Sequence, residues 1–390
     1  MKTTKFKMTE IGLIPEDWEV KRLGDVLTIG NGKDYKHLNC GTIPVYGTGG
    51  LMTYVSEWLY DGATVCIGRK GTIDVPQYHE GKIWTVDTLY YTYGYKEVDI
   101  KFLYYLFLRI DWLSYNSATG VPSLTAKAIY DIAVALPPLH EQKAIAEALS
   151  DVDELLTAMT TLIEKKCAIK QGAMQELLTG KKRLPGFSGE WVEKRLGDCG
   201  FCYNGITGKG GNDFGKGEAR YITFLNVLLN VVIDTSIFDM VDIKLGENQN
   251  EVRRGDLFFN TSSETPEEVG FCAVLDEDVT SVYLNSFCFG FRLTDDNVNG
   301  KFLAYWFRSA GGRALMTFLA QGSTRYNLSK DAFREAYICI PPTLAEQRAI
   351  AEVLSDMDAE IEALEAKRVK YESIKQGMMQ ELLTGKTRLV

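Results

Sequence analysis

Histidine is scarce, three residues in a chain of 390, and none stands near a plausible nucleophile in the sequence. No acid–base pair recurs in both copies of the repeat described below, so no constellation for acid–base or nucleophilic catalysis can be assembled. A run of eighteen or more apolar residues is also missing, which argues against a bilayer-spanning helix. The opening MKTTKFKMTEIG is basic without an apolar stretch, unlike a secretory leader, and the expectation is a cytoplasmic protein with no membrane contact. The eight cysteines are scattered, several inside apolar strand-like runs such as Phe271–Val274 and Tyr337–Ile340, and read as free core thiols. Cys199 and Cys202 have zinc-ligand spacing but lack two further ligands nearby, so no metal site is expected.

Cofactor chemistry is equally thin. An adenine-amino methyltransferase requires an Asn-Pro-Pro-aromatic loop and a glycine-rich turn after a strand, whereas Pro137-Pro138 lacks the asparagine. Gly210 to Lys216 follows the first seven positions of a phosphate-binding loop, but Gly217 replaces the hydroxyl that would hold Mg²⁺. Glu19-Val20-Lys21 offers a fragment of nuclease chemistry that the second copy shuffles to Val192-Glu193-Lys194. The chain therefore reads as a non-catalytic reader. Its net charge of −9 comes mainly from the second half, in clusters such as Asp276-Glu277-Asp278. DNA affinity rests on clustered cations that displace counterions, so such a chain needs a partner that adds contacts.

What is present is duplication. Leu139–Leu184 returns in the same register as Leu344–Leu389, and Trp18–Asp25 returns as Trp191–Asp198. A weaker pair joins Lys101–Tyr105 to Lys301–Tyr305, followed by Gly120 with Gly322 and Leu124 with Leu328. Between these frames, residues 26–100 and 199–300 show little similarity. The order is cyclic, which places the residues near 12 and 388 side by side.

Apolar residues fall at Ile145, Leu149, Val152, Leu156, Met159 and Ile163, then Ile169, Ala173 and Leu177; the second copy has Ile350, Leu354, Met357, Ile361 and Leu364, then Tyr371, Ile374, Met378 and Leu382. This is a coiled-coil stripe, interrupted at Lys166 and Arg368. Pro137-Pro138 and Pro341-Pro342 mark the entries, Gly180 and Gly385 the exits. Ser150–Asp153 and Ser355–Asp358 resemble capping boxes, which predicts a short helix followed by a long one of about 28 residues, roughly 42 Å. Two such helices in twofold-related copies run antiparallel and pair through Ile145, Leu149, Leu156, Met159, Ile163, Ile350, Leu354, Ile361, Leu364 and Tyr371. The fold class is α+β: two pseudo-twofold-related α/β domains separated by two long antiparallel coiled-coil helices. The boundaries are 1–136, a central helical region 137–183, a second domain 184–340, and a C-terminal helical region 341–390.

The inserts carry short β-rich runs: Ile43–Tyr46, Ala63–Ile67, Lys82–Val86 and Leu89–Tyr93 in the first, Tyr221–Phe224, Val231–Ile233, Asp256–Phe259 and Ser286–Phe289 in the second. Lys101–Trp112 and Lys301–Phe318 read as helices. Loops between these runs place polar and basic groups on glycine-permitted backbone. Arg and Lys read guanine edges or grip phosphates, Ser and Thr donate to either, and glycine allows close approach. The candidate DNA contacts are Lys33; Tyr46, Thr48, Gly49 and Gly50; Arg69 and Lys70; Thr119 and Ser123 in the first half. In the second they are Lys209 and Lys216; Thr261, Ser262 and Ser263; and Ser323, Thr324, Arg325 and Tyr326.

Ile11–Pro15 with Trp18, Pro137-Pro138 with Glu141–Ala146, and Lys170–Gly172 through Leu177–Lys181 resemble Type I restriction-modification specificity subunits. The resemblance covers nearly the whole chain and is strongest in the helical motif. It implies two target recognition domains, each reading half of a split, asymmetric site on double-stranded DNA. The helices would bind two methyltransferase subunits, and restriction subunits would join the full complex. It implies no cofactor in this chain, with S-adenosylmethionine, ATP and Mg²⁺ used by partners. Helix length would set the gap so that the half-sites lie about one duplex turn, roughly 34–36 Å, apart. Heptads alone leave open a non-enzymatic scaffold that joins protein partners.

Overall fold

The computed structural model describes residues 5–244 and 246–389. Contacts divide the chain into two compact units, 1–161 with 366–390, and 162–365. Each 39-residue helix, Leu139–Leu177 and Leu344–Leu382, contributes one stretch to each unit. Among the described residues no helix is long and apolar enough to cross a membrane.

In the first unit an antiparallel sheet runs in the order Thr28–Asn31, Leu89–Tyr93, Thr64–Gly68, Gln77–His79. A second sheet pairs the hairpin Cys40–Gly47 and Gly50–Val55 with Lys82–Thr85, which lies parallel to Cys40–Gly47. The second unit repeats this plan. Its main sheet is ordered Gly200–Asn204, Cys288–Leu293, Leu257–Asn260, Cys272–Val274, and its second sheet sets Phe214–Ile222 parallel to Val282–Leu284. Two inserts with little sequence similarity thus share one strand order.

The repeated frame explains its own motif. In the first unit the ribbon of Glu19–Arg22 against Ala133–Leu136 leads into the long helix. The buried Gln142 braces the helix Ile100–Phe107: its Oε1 accepts from Asp99 N at 2.8 Å, and its Nε2 donates to Glu97 O and Pro137 O. Asp99 in turn caps that helix through Phe102 N at 2.9 Å. In the second unit Gln347 does the same for Asn299, Asn297 and Pro341. Glu141, wholly buried, accepts from Arg388 Nε (2.6 Å) and Nη2 (2.7 Å) and from Trp18 Nε1 (3.1 Å). Its counterpart Glu346 is gripped by Arg183.

Arg388 also reaches Asp17 at 2.7 Å, and Gly385, at φ +70°, lies where a Cβ would collide with Pro15 Cγ. Residues 385–388 therefore pack on residues 15–18, as the cyclic repeat predicts. Within the second unit Lys166 pairs with Glu360 and Lys170 with Asp358, so one number rises as the other falls and the two helical stretches are antiparallel. In the first unit Lys375 pairs with Asp153 at 2.5 Å.

The sequence-predicted break near residues 151 and 356 is absent, for both helices run unbroken. The aspartates that resemble caps are used sideways: Tyr105 Oη donates to Asp153 and Tyr305 Oη to Asp358, each at 2.7 Å. Of the helix-pairing residues, Ile145, Leu149, Met159, Ile350, Leu354 and Ile361 are buried, and Leu156, Ile163, Leu364 and Tyr371 half-buried. Ile169 and Ile374 leave the stripe at 48% and 40% exposure, because Lys170 and Lys375 occupy the inward positions there. A straight helix drifts about 20° per heptad, enough to turn the seam by one residue over this length.

Three further expectations fail in the second insert. The strand through Tyr221 stops at Ile222, because Thr223 Oγ1 caps the helix Phe224–Leu229. Val231–Ile233 makes only an isolated bridge to Val274 at the sheet edge. The helix over 301–318 divides at Ser309, whose hydroxyl caps Ala310–Leu319; a Cβ at Gly312 would strike Trp306 O. In the first half, Ile100–Phe107 likewise ends before the short 3-10 turn Trp112–Tyr115.

Candidate nucleic-acid interface

In the first unit the loop leaving Thr64–Gly68 meets the loop that precedes the short helix Ala126–Tyr130. Leu124 N donates to Arg69 O (2.9 Å), Gly71 N donates to Pro122 O (2.9 Å), and Lys70 bridges Ser123. The result is a cleft of about 700 Å³ that brings together Arg69, Lys70, Thr119 and Ser123, joined by Ser117 and Thr125. Among the described residues no carboxylate lines it. Arg69 is anchored by its backbone, with N donating to Thr88 O at 2.8 Å, while its guanidinium lies over the Tyr90 ring at 5.9 Å. Exposed cations without carboxylates make a donor-rich surface suited to phosphate oxygens or guanine acceptors.

Thr48, Gly49 and Gly50 form the tip of the hairpin and line a second cleft of about 500 Å³ with Lys36, Asp34 and Asp87. The tip adjoins the first cleft, since a Cβ on Gly71 would lie 3.6 Å from Thr48 Oγ1. Tyr46 faces inward, stacked on His79 at 3.7 Å. Lys33 holds Trp84 through its carbonyl (2.8 Å) and lines neither cleft.

The second unit builds its cleft from equivalent positions. Leu328 N donates to Thr261 O at 2.8 Å, matching Leu124 to Arg69, and Ser262 pairs with Asn327 as Lys70 does with Ser123. This cleft, about 320 Å³, gathers Ser262, Ser263, Thr324 and Arg325. Here the chemistry differs. Glu264 and Glu268 share the lining, Ser263 Oγ donates to Glu268 at 2.8 Å, and Arg325 Nε donates to Ser262 Oγ at 3.3 Å. Thr261 spends its hydroxyl on Phe287 O (2.7 Å). Ser323, half-buried Tyr326 and exposed Lys216 lie outside the lining. Lys209 is withdrawn from solvent, 6% exposed and paired with Glu247 at 2.5 Å, so its ammonium does not face a ligand.

Residues that sequence reasoning passed over are Lys36, Ser117, Thr125, Glu264, Glu268 and Asn327. Lys36 shares a glycine-rich polar loop with Lys33 and was readable on that signal; the others depend on which loops meet. Among the described residues no group of three or more His, Cys, Asp or Glu could hold a metal ion.

Burial beneath the hairpin depresses His79, whose pKa falls to about 4. The folded value lies below the unfolded one of about 6.5, so the unfolded state takes up the proton first. Stability of the first unit is fully present above about pH 6.5 and is lost as pH falls toward 4. His79→Gln should flatten that part of a Tm-against-pH curve; an unchanged slope would contradict the assignment.

A family model described as Type I restriction modification DNA specificity domain matches residues 15–167 and again 189–371. Among curated relatives, the specificity subunit of the type I restriction enzyme MjaVIII from Methanocaldococcus jannaschii is 26% identical, covering 96% of this chain and 94% of its own. The EcoDI specificity subunit of Escherichia coli is 27% identical over 43% of this chain and 38% of its own. The solved S subunit of a Type-I restriction-modification system from M. genitalium superposes with a TM-score of 0.64 at 13% identity, covering 97% of this chain and 98% of that one. A chain from a structure on complex assembly and conformational transition of the type I R-M system gives 0.53 at 16% identity, covering 96% and 99%. At such identities the superpositions establish a shared fold.

Proposed function

Because the chain belongs to the Type I restriction modification DNA specificity family, we propose that its two clefts each read one half of an asymmetric DNA site. The observation that carries this is one frame with two sets of side chains. The hydrogen bonds of Leu124 and Leu328 build the same junction, yet one presents Arg69 and Lys70 and the other Ser262, Thr324 and Arg325 beside two glutamates. Identical scaffolds with unlike donor and acceptor patterns select unlike base edges. The target recognition domains are residues 1–136 and 184–340, and the helical regions 137–183 and 341–390 recruit two methyltransferase subunits, with restriction subunits in the full complex. The chain itself catalyses nothing. S-adenosylmethionine, ATP and Mg²⁺ act on the partners, in the cytoplasm, and the net charge of −9 makes those partners necessary for tight DNA binding.

Methylome sequencing of a host with and without the gene tests this. One modified motif with two unlike halves should vanish with the gene. An unchanged methylome would refute the reading role and favour a protein scaffold.

A further inference from the structure

Asn327 sits in the three-stranded sheet of the second unit, in register with Ser262 on one side and Gln321 on the other. Directly opposed residues project from the same face of a sheet, so Ser262, Asn327 and Gln321 form a polar row across it. The opposite face buries Leu328, while Asn327 and Gln321 are exposed. Arg325, two residues before Asn327, donates from Nε to Ser262 Oγ on this same side.

From this arrangement we infer that Asn327 is a specificity-determining residue that recognises an adenine edge in the second half-site. The inference rests on the DNA-reading role proposed above. Asparagine pairs with adenine by accepting from the N6 amino group and donating to N7. Asn327 retains both capacities: among the described residues its side chain makes one bond, Nδ2 to Arg325 O at 3.2 Å, which uses one of two amide hydrogens and leaves Oδ1 open. That bond also orients the amide.

The first unit supplies the contrast. Lys70 and Ser123 stand where Ser262 and Asn327 stand in the second, as the matched bonds of Leu124 and Leu328 establish. At the Asn327 position the first unit has Ser123, whose single hydroxyl cannot engage N6 and N7 of adenine together as an amide does, while Lys70 beside it only donates and suits guanine acceptors. The two half-sites should therefore differ at structurally equivalent positions.

The test uses the full chain assembled with its methyltransferase subunits, and duplexes carrying its own site with each base pair of either half substituted in turn. The unaltered complex should prefer one A·T pair in the second half-site by about ten- to a hundredfold. Asn327→Ala should erase that preference alone, leaving the other positions and the whole first half-site unchanged. Asn327→Asp, which only accepts, should move the preference toward C·G. A variant complex that discriminates at every position as before, or that weakens on all sequences equally, overturns the inference while the reading role stands. An unaltered complex that discriminates nowhere overturns both.

Discussion

Arg388→Ala is expected to destabilise the first unit by about 3–5 kcal/mol, the range for stripping the partner from a buried charge. Glu141 is wholly buried and receives two bonds from that guanidinium, against one from Trp18 Nε1, so the indole cannot replace it. For a unit of this size each kcal/mol moves Tm by about 2–4 °C, so calorimetry should show a fall of roughly 6–20 °C in one transition. Arg388→Lys retains the charge but loses the two-pronged fit and should fall between. Glu141→Gln combined with Arg388→Ala should recover much of the loss, since no charge is then left buried. Asp17 depends on the same guanidinium: Arg388 holds its carboxyl below the usual range, so its contribution is present above the ordinary aspartate pKa and fades as pH falls through the lowered one. A single-variant loss under about 1 kcal/mol would mean that water reaches Glu141 and that the motif is not the clamp described.

Arg183→Ala should act alike on the second unit, through Glu346. The two clamps are not identical, because among the described residues Trp191 Nε1 is buried without a partner where Trp18 Nε1 has Glu141. The second clamp therefore leans more on its arginine, which also donates to Gly189 O and Ser188 O.

These clamps mark the boundary of what the sequence discloses. The Glu-Gln pair and the terminal arginine are plain in the repeat, but that one secures the other depends on contacts 247 residues apart. The helices are legible from their stripe, whereas the break expected near residues 151 and 356 does not form: local spacing suggests a cap, and distant tyrosines and lysines claim the Asp153 and Asp358 carboxylates. Strands buried along their whole length, such as Leu257–Asn260, declare themselves in apolar sequence. Val231–Ile233 is apolar too but lies at an edge, where it makes a single bridge to Val274. Likewise, glycine and polar residues locate the loops, yet Lys209 reads as a DNA contact because Glu247, its partner, is 38 positions away. The common topology of the inserts was invisible because it is held by backbone pairing and burial, which many sequences satisfy.

Arg69→Ala with Lys70→Ala should weaken binding of the assembled complex to its own site by about a hundredfold or more, taking each cation as worth roughly 1–3 kcal/mol. The substitutions are clean, because Arg69 is positioned by its backbone, N to Thr88 O and O from Leu124 N, neither of which alanine disturbs. With no carboxylate in the cleft among the described residues, nothing offsets the lost positive charge. The slope of log K against log salt separates the two ways such cations act. If both grip phosphates, the slope magnitude falls by about two and all sequences weaken together; if one reads a guanine, the slope falls by about one and discrimination relaxes at that base pair. In either case the second half-site keeps its preferences, because Ser262, Thr324 and Arg325 belong to a separate cleft. Relaxed discrimination at both half-sites alike would contradict the division of labour between the clefts, and an undiminished affinity would remove Arg69 and Lys70 from the interface.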